Sequence, residues 1–219
     1  MSTIQRVRSI FEQDKGGSYS NEYEVKFTFS SSKNSELISS YSAAGYNVNN
    51  SSDGAFGNML LMCDEASLPG QFSATSEVDG MFTGRLIQHP QAKLYNDFRL
   101  SFIMTNKLLP NEFFDIWFYY MFPEYKLNSS TPLQYTDYTQ RAERSNVTSL
   151  RYYDNCVCPS IEVRKMYKTQ FAPNGGTSGR YYLVNAYPYT IESVPLAYGA
   201  STLNKLRVQF RYEKYYATY

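Results

Sequence analysis

Alternation of apolar and polar positions dominates the chain and predicts strands. In YEVKFTF (23–29), Tyr23, Val25, Phe27 and Phe29 face one way and Glu24, Lys26 and Thr28 the other, as in a half-buried strand. DFRLSFIMTN (97–106) places Phe98, Leu100, Phe102 and Met104 on one face. In KLRVQFRYEKYY (205–216), Leu206, Val208, Phe210 and Tyr212 alternate against Arg207, Gln209 and Arg211. SIEVRKMYK (160–168) and RYYLVNAYPYTI (180–191) read as two more strands, with NGG (174–176) as the turn between them. NMLLMCD (58–64) is apolar on both faces, which predicts a strand covered on both sides or lying at an interface.

Helical spacing occurs twice. Residues 3–13 put Ile4, Val7 and Phe11 on one stripe beside Ile10, and DKGG ends that short helix. PNEFFDIWFYYMFP predicts a helix over 111–122, with Asn111 as N-cap, acids in its first turn and Pro123 as its stop. Phe113, Phe114, Trp117, Phe118 and Met121 form its apolar face. Residues 30–57 are rich in Ser, Asn and Gly and read as an inserted loop; 126–148 is a second polar stretch. Residues 71–97 read as a long connection, yet Met81, Phe82, Leu86 and Ile87 are too apolar for a free linker. The expected fold is mainly β: an antiparallel β-sandwich or barrel with one edge helix.

Composition changes this picture in one respect. The chain has 22 Tyr, 14 Phe and one Trp among 219 residues. Strands favour aromatics, and tyrosine also suits surfaces that become interfaces. Lys and Arg number 21 against 20 Asp and Glu, so no basic excess points to electrostatic capture of nucleic acid. No apolar leader opens the sequence, and no run of about 18 apolar residues would span a bilayer. Reduced thiols in a cytoplasm are therefore expected, and the sequons at Asn50, Asn128 and Asn146 carry no weight.

Candidate chemistry is sparse. His89 is the only histidine, and nothing in the sequence places it beside Cys63 or a serine. Cys156 and Cys158 lack the two-residue spacing of redox dithiols and zinc ribbons; along a strand their sulfurs would share a face as structural thiols. Asp64 and Glu65 are neighbours, so along a strand they would point to opposite faces. NGGTSGR (174–180) lacks the helix that would present amides to a phosphate. No catalytic residue, metal or cofactor is expected; the protein is not read as an enzyme.

With these elements in order, the chain resembles the tail tube proteins of contractile-tailed phages of the T-even type. The stretches that carry the resemblance are YEVKFTF, CDEASLPG with its Leu-Pro turn, DFRLSFIM, EFFDIWFYYMF and VNAYPYTIESVPLAYGASTLNKLRVQFRYEKY. They cover roughly residues 20–30, 59–122 and 155–216, with apparent insertions at 31–57, 126–148 and 171–179 in a single domain spanning 1–219.

The resemblance implies hexameric rings that stack into a hollow tube, the strands of six subunits closing a continuous inner barrel. Expected partners are further copies of the chain, the tail sheath protein, the tape measure protein, baseplate tube-initiator proteins and DNA passing through the lumen; no membrane is involved. Expected localisation is the virion tail, assembled in the host cytoplasm. Cys63 then becomes a buried strand residue, and Leu68, Pro69 and Gly70 turn the chain into an inter-subunit loop. Met81, Phe82, Leu86 and Ile87 are expected to pack on the adjacent ring, with Arg85 as a rim charge. A baseplate tube initiator and the needle protein of a bacterial injection machine share the architecture. A monomeric β-sandwich binding module is the rival from another class, and self-assembly separates it from the others.

Overall fold

The computed structural model describes residue 5 and residues 20–49, 54–79, 86–126, 130–136, 145–169, 172–196 and 203–219. The alternating stretches meet in one antiparallel sheet of seven strands. Strand β1 (Tyr23–Thr28) lies along β8 (Cys158–Thr169), with Val25 opposite Val163 and Phe27 opposite Ile161. Beyond β8 come β9 (Ala172–Ile191), β10 (Lys205–Arg211), β5 (Phe98–Ile103) and β2 (Cys63–Ala66); β11 (Lys214–Thr218) also pairs with β9. The two ends of this path approach each other, because the Tyr23 hydroxyl of β1 donates to the Cys63 carbonyl of β2 at 3.0 Å.

β9 serves both halves of the sheet. Val184 pairs with Ser160 on one side and Lys214 on the other, whereas Pro188 pairs with Phe210 of β10. Between them Asn185 takes a left-handed φ of 53°. Its Nδ2 donates to Glu213 Oε2 at 2.7 Å, and the Glu213 N–H donates to the Val184 carbonyl at 3.0 Å. These bonds tie the corner of β9 to the break at Tyr212–Glu213 that divides the single strand expected over 205–216 into β10 and β11. Asparagine tolerates this φ, but a β-branched side chain does not. Asn185→Val is expected to cost about 2–3 kcal/mol in urea unfolding, and Asn185→Gly, which loses only the side-chain bond, about 1 kcal/mol or less. Equal losses would show that the corner is not held by backbone conformation.

Helix α3 (Leu109–Met121) lies over the apolar side of the sheet. Trp117 is fully buried, with ring centroids 5.3 Å from Phe29, 6.4 Å from Phe27 and 6.3 Å from Phe210. The Trp117 indole N–H donates to the Cys156 carbonyl at 2.8 Å. The helix begins two residues before its expected start: Leu108 precedes it at φ 52°, Pro110 occupies the first turn, and Asn111 bonds Asp115 Oδ2 at 2.7 Å instead of capping. Proline fits there because the first-turn amides have no partner inside the helix.

Several other expectations are corrected. Residues 30–57 are not a loop, because α1 (Ser35–Ala43) and the start of α2 (Gly54–Leu61) lie there. Few residues of α1 are apolar, but they share a face: Leu37 and Tyr41 are fully buried, with Tyr41 stacked 4.4 Å from Phe113. NMLLMCD is mostly the end of α2, where Phe56, Met59 and Leu60 bury at helical spacing, and only Cys63 and Asp64 enter β2. A short apolar run does not distinguish the two periods. So α3 is not the single helix, and Tyr153–Cys156 forms a further turn, α4, putting Cys156 outside the strand that Cys158 begins.

Asn174–Gly176 lies within β9 and is not the turn, since Thr169 already pairs with Ala172. Gly176 is required there for another reason: a Cβ would stand 2.5 Å from the Tyr167 ring across the strand pair. The 126–148 stretch is bounded by paired strands β6 (Glu124–Lys126) and β7 (Ser145–Thr148). Of the 3–13 helix only Gln5 falls among the described residues, and it is helical.

Candidate assembly surface

The largest departure from expectation is at 71–97. Most of this stretch is strand: among the described residues β3 (Gln71–Asp79) and β4 (Leu86–Tyr95) pair only with each other, as a long antiparallel hairpin. Their side chains are mostly polar and exposed on both faces, so no alternation betrays them. Pro90 sits opposite Thr75 beside the bulge at Ala74/Thr75, where a ladder tolerates proline.

Aromatics fix the hairpin base to the main sheet. Tyr95 stands 5.7 Å from Tyr212 and 5.6 Å from Tyr215, and Tyr212 donates to the Gly70 carbonyl at 3.5 Å. Burial pushes the Tyr212 hydroxyl up to about 12, so it stays a neutral donor. The Asn96 N–H donates to the same Gly70 carbonyl at 3.0 Å, and a Cβ on Gly70 would stand 2.7 Å from the Asn96 side chain. Further out, Phe72 faces Leu94 across the ladder, and Phe72, Ile87 and Leu94 are 52%, 46% and 43% exposed.

Of the residues expected at an interface, Leu68 is half exposed, Pro69 is buried and Gly70 forms the hairpin base. Leu86 and Ile87 begin β4; Met81, Phe82 and Arg85 lie outside the described residues. Phe72 and Leu94 were missed as surface candidates, as was the Tyr95, Tyr212 and Tyr215 anchor. No sustained alternation along 71–97 marked them.

Two other features leave the chain open to neighbours. Among the described residues β1, β2 and β11 each have a strand partner on one side only, and unpaired edges are templates for another chain. Between β1 and α2 runs a cleft of about 330 Å³ lined by Tyr23, Val25, Leu60, Leu61 and Cys63, with Leu61 almost fully exposed beside it. The solvent face of β10 and β5 presents Lys205, Arg207, Arg211 and Arg99. On the other half of the sheet Glu162 is buried under Arg164, which holds it with bonds of 2.7 and 3.1 Å. Burial opposes that carboxylate's charge, but Arg164 outweighs it and holds the pKa low.

The thiols are poorly placed for chemistry. Burial pushes Cys63 and Cys158 up to about 12 and Cys156 to about 11, leaving almost no thiolate near neutrality. Cys63 is half-buried rather than fully buried, its thiol directed at the Glu65 carbonyl. His89 sits exposed on β4 opposite Ser76. Among the described residues no cluster of His, Cys, Asp and Glu could hold a metal ion.

Comparison with known proteins places this architecture. No curated protein sequence matches the chain. The fold is similar to a chain of the anti-feeding prophage cap, the tube-terminating cap, at 9% identity and TM-score 0.48, covering 92% of this chain and 91% of that one. It is also similar to a chain of the PVC sheath-tube complex, an extracellular contractile injection system in the extended state: 8% identity, TM-score 0.47, coverage 100% and 98%. An Hcp protein gives 13% identity, TM-score 0.41 and coverage of 89% and 90%. At such identities and TM-scores none of these likenesses bears on function. The phage tail tube protein family model matches residues 18–218, and this chain belongs to that family of structural, non-enzymatic tail tube proteins.

Proposed function

We propose that the chain is the repeating subunit of a contractile phage tail tube, forming hexameric rings that stack into a hollow conduit through which DNA is ejected. The observation that carries this reading is the β3–β4 hairpin. A two-stranded ribbon is marginal by itself in water, yet this one is tied to the main sheet by three tyrosines and keeps Phe72, Ile87 and Leu94 half exposed. Such a ribbon suits a contact with the next ring, alongside Leu68, Pro69, Gly70, Met81, Phe82, Arg85 and Leu86. The open edges of β1, β2 and β11 suit side-by-side closure within a ring. Sheath, tape measure and baseplate initiator proteins are the partners that accompany this role, and the virion tail is its location. Sedimentation and negative-stain microscopy of the purified chain test it: rings or tubes support the reading, and a stable monomer rules it out.

A further inference from the structure

The β3–β4 ribbon has two unlike faces at its base. Tyr95 packs on Tyr212 and Tyr215 of its own chain. Leu94, its neighbour along β4, points the opposite way, because successive side chains alternate across a strand. Phe72 pairs with Leu94 and Ala74 with Ala92, so these four make an apolar face turned away from the chain that carries them. Phe72, Ala92 and Leu94 are all exposed.

A complementary feature lies at the far end of the same strands. The ribbon joins β2 and β5 at Ala66 and Phe98, whereas Cys63 pairs with Phe102 at the other end. The cleft between β1 and α2 opens there, with about 330 Å³ of space between Tyr23, Val25, Leu60, Leu61 and Cys63. That is room for large side chains. Val25 and Leu60 are buried and Leu61 is almost fully exposed, so the cleft offers an apolar floor and an apolar rim. Two charged residues also line it. Glu24 is already held by Arg164 at 3.2 Å, and Lys26 has a stem long enough to keep its ammonium in water above an apolar contact.

We propose that the Phe72–Leu94 face of one copy seats in the β1–α2 cleft of a second copy, and that this contact joins successive rings. It rests on the conduit reading above and supplies the receiving surface that the reading leaves open. A knob and a socket at opposite ends of β2 and β5 make a head-to-tail contact. Each copy gives its ribbon to one neighbour and accepts the ribbon of another, so the contact repeats instead of closing on a pair. The seated ribbon occupies the free side of β1 and leaves the edges of β2 and β11 for closure within a ring.

The test is Leu61→Cys with Leu94→Cys, made on Cys63→Ser so that no native thiol stands in the cleft. The assembled variant is oxidised with copper phenanthroline and separated on a denaturing gel without reductant. A disulfide needs the two Cβ atoms within about 3.5–4.5 Å. A ladder of dimers, trimers and longer species is expected, which dithiothreitol collapses to single chains. The control, Leu150→Cys with Leu94→Cys on the same background, moves the partner thiol to another exposed leucine, beside the C-terminal end of α3, and is expected to give no ladder. Leu61→Arg reads the same contact without touching the ribbon. Its charge would be buried by the incoming face, so circular dichroism is expected to show a folded protein and microscopy to show rings that do not stack. Tubes without a ladder, a control ladder of equal length, or normal tubes from Leu61→Arg overturn the socket and leave the conduit standing. A ladder that stops at dimers overturns the head-to-tail arrangement. An unaltered protein that stays monomeric overturns both readings.

Discussion

Trp117→Ala is expected to leave the protein unfolded or insoluble, at a cost of about 3–5 kcal/mol. A domain has only about 5–15 kcal/mol of stability to lose. The indole lies where α3 meets the sheet: Phe27 of β1 and Phe210 of β10 pack on it, as do Phe29, Phe113 and Phe114. Truncation opens a cavity that none of these neighbours fills, and it leaves the buried Cys156 carbonyl without its indole donor. Trp117→Phe separates the two losses. It keeps most of the ring volume and is expected to cost about 1–3 kcal/mol, mainly through the unmade hydrogen bond. Chemical unfolding of soluble material measures both. A Trp117→Ala protein as stable as the original would show that α3 does not organise the core.

The second large effect is on assembly rather than folding. Phe72→Ser with Leu94→Ser is expected to leave a folded protein whose rings no longer stack. These two side chains face each other across the hairpin and are about half exposed in the single chain. Burying what remains exposed would contribute about 1.5–3 kcal/mol per subunit, or about 9–18 kcal/mol over a junction of six copies if every copy makes the contact. Losing a small term per subunit therefore removes a large one per ring. The substitutions replace exposed apolar groups, so stability of the single chain should change little. Sedimentation is the measurement: isolated rings or monomers of normal stability are expected, and full-length tubes would show that the hairpin does not form the junction.

How much of this was legible in the sequence follows from how each element is buried. β1, β5 and β10 bury one face only, so Val25 and Phe27, Phe98 to Phe102 and Leu206 to Phe210 announced themselves by alternation. The apolar face of α3 was equally plain. α1 was not, because serines fill most of its exposed positions and a core contact needs only Leu37 and Tyr41. The β3–β4 hairpin was hidden for the opposite reason: neither face is buried in the single chain, so its pairing leaves no hydrophobic trace. Asn185 looked like any asparagine in a strand until its φ and its bond to Glu213 showed a corner. The candidate surface was half legible. Its location in 71–97 was inferred from a length that a loop does not justify, while the anchor of Tyr95 on Tyr212 and Tyr215 depends on residues far apart in sequence.

The most direct measurement of the central claim is a cryo-electron microscopy reconstruction of the assembly that the purified chain forms. Stacked rings of six copies are expected, with the Phe72–Leu94 ribbon crossing to the next ring. A monodisperse monomer, or a tube in which that ribbon projects free into solvent, would contradict it.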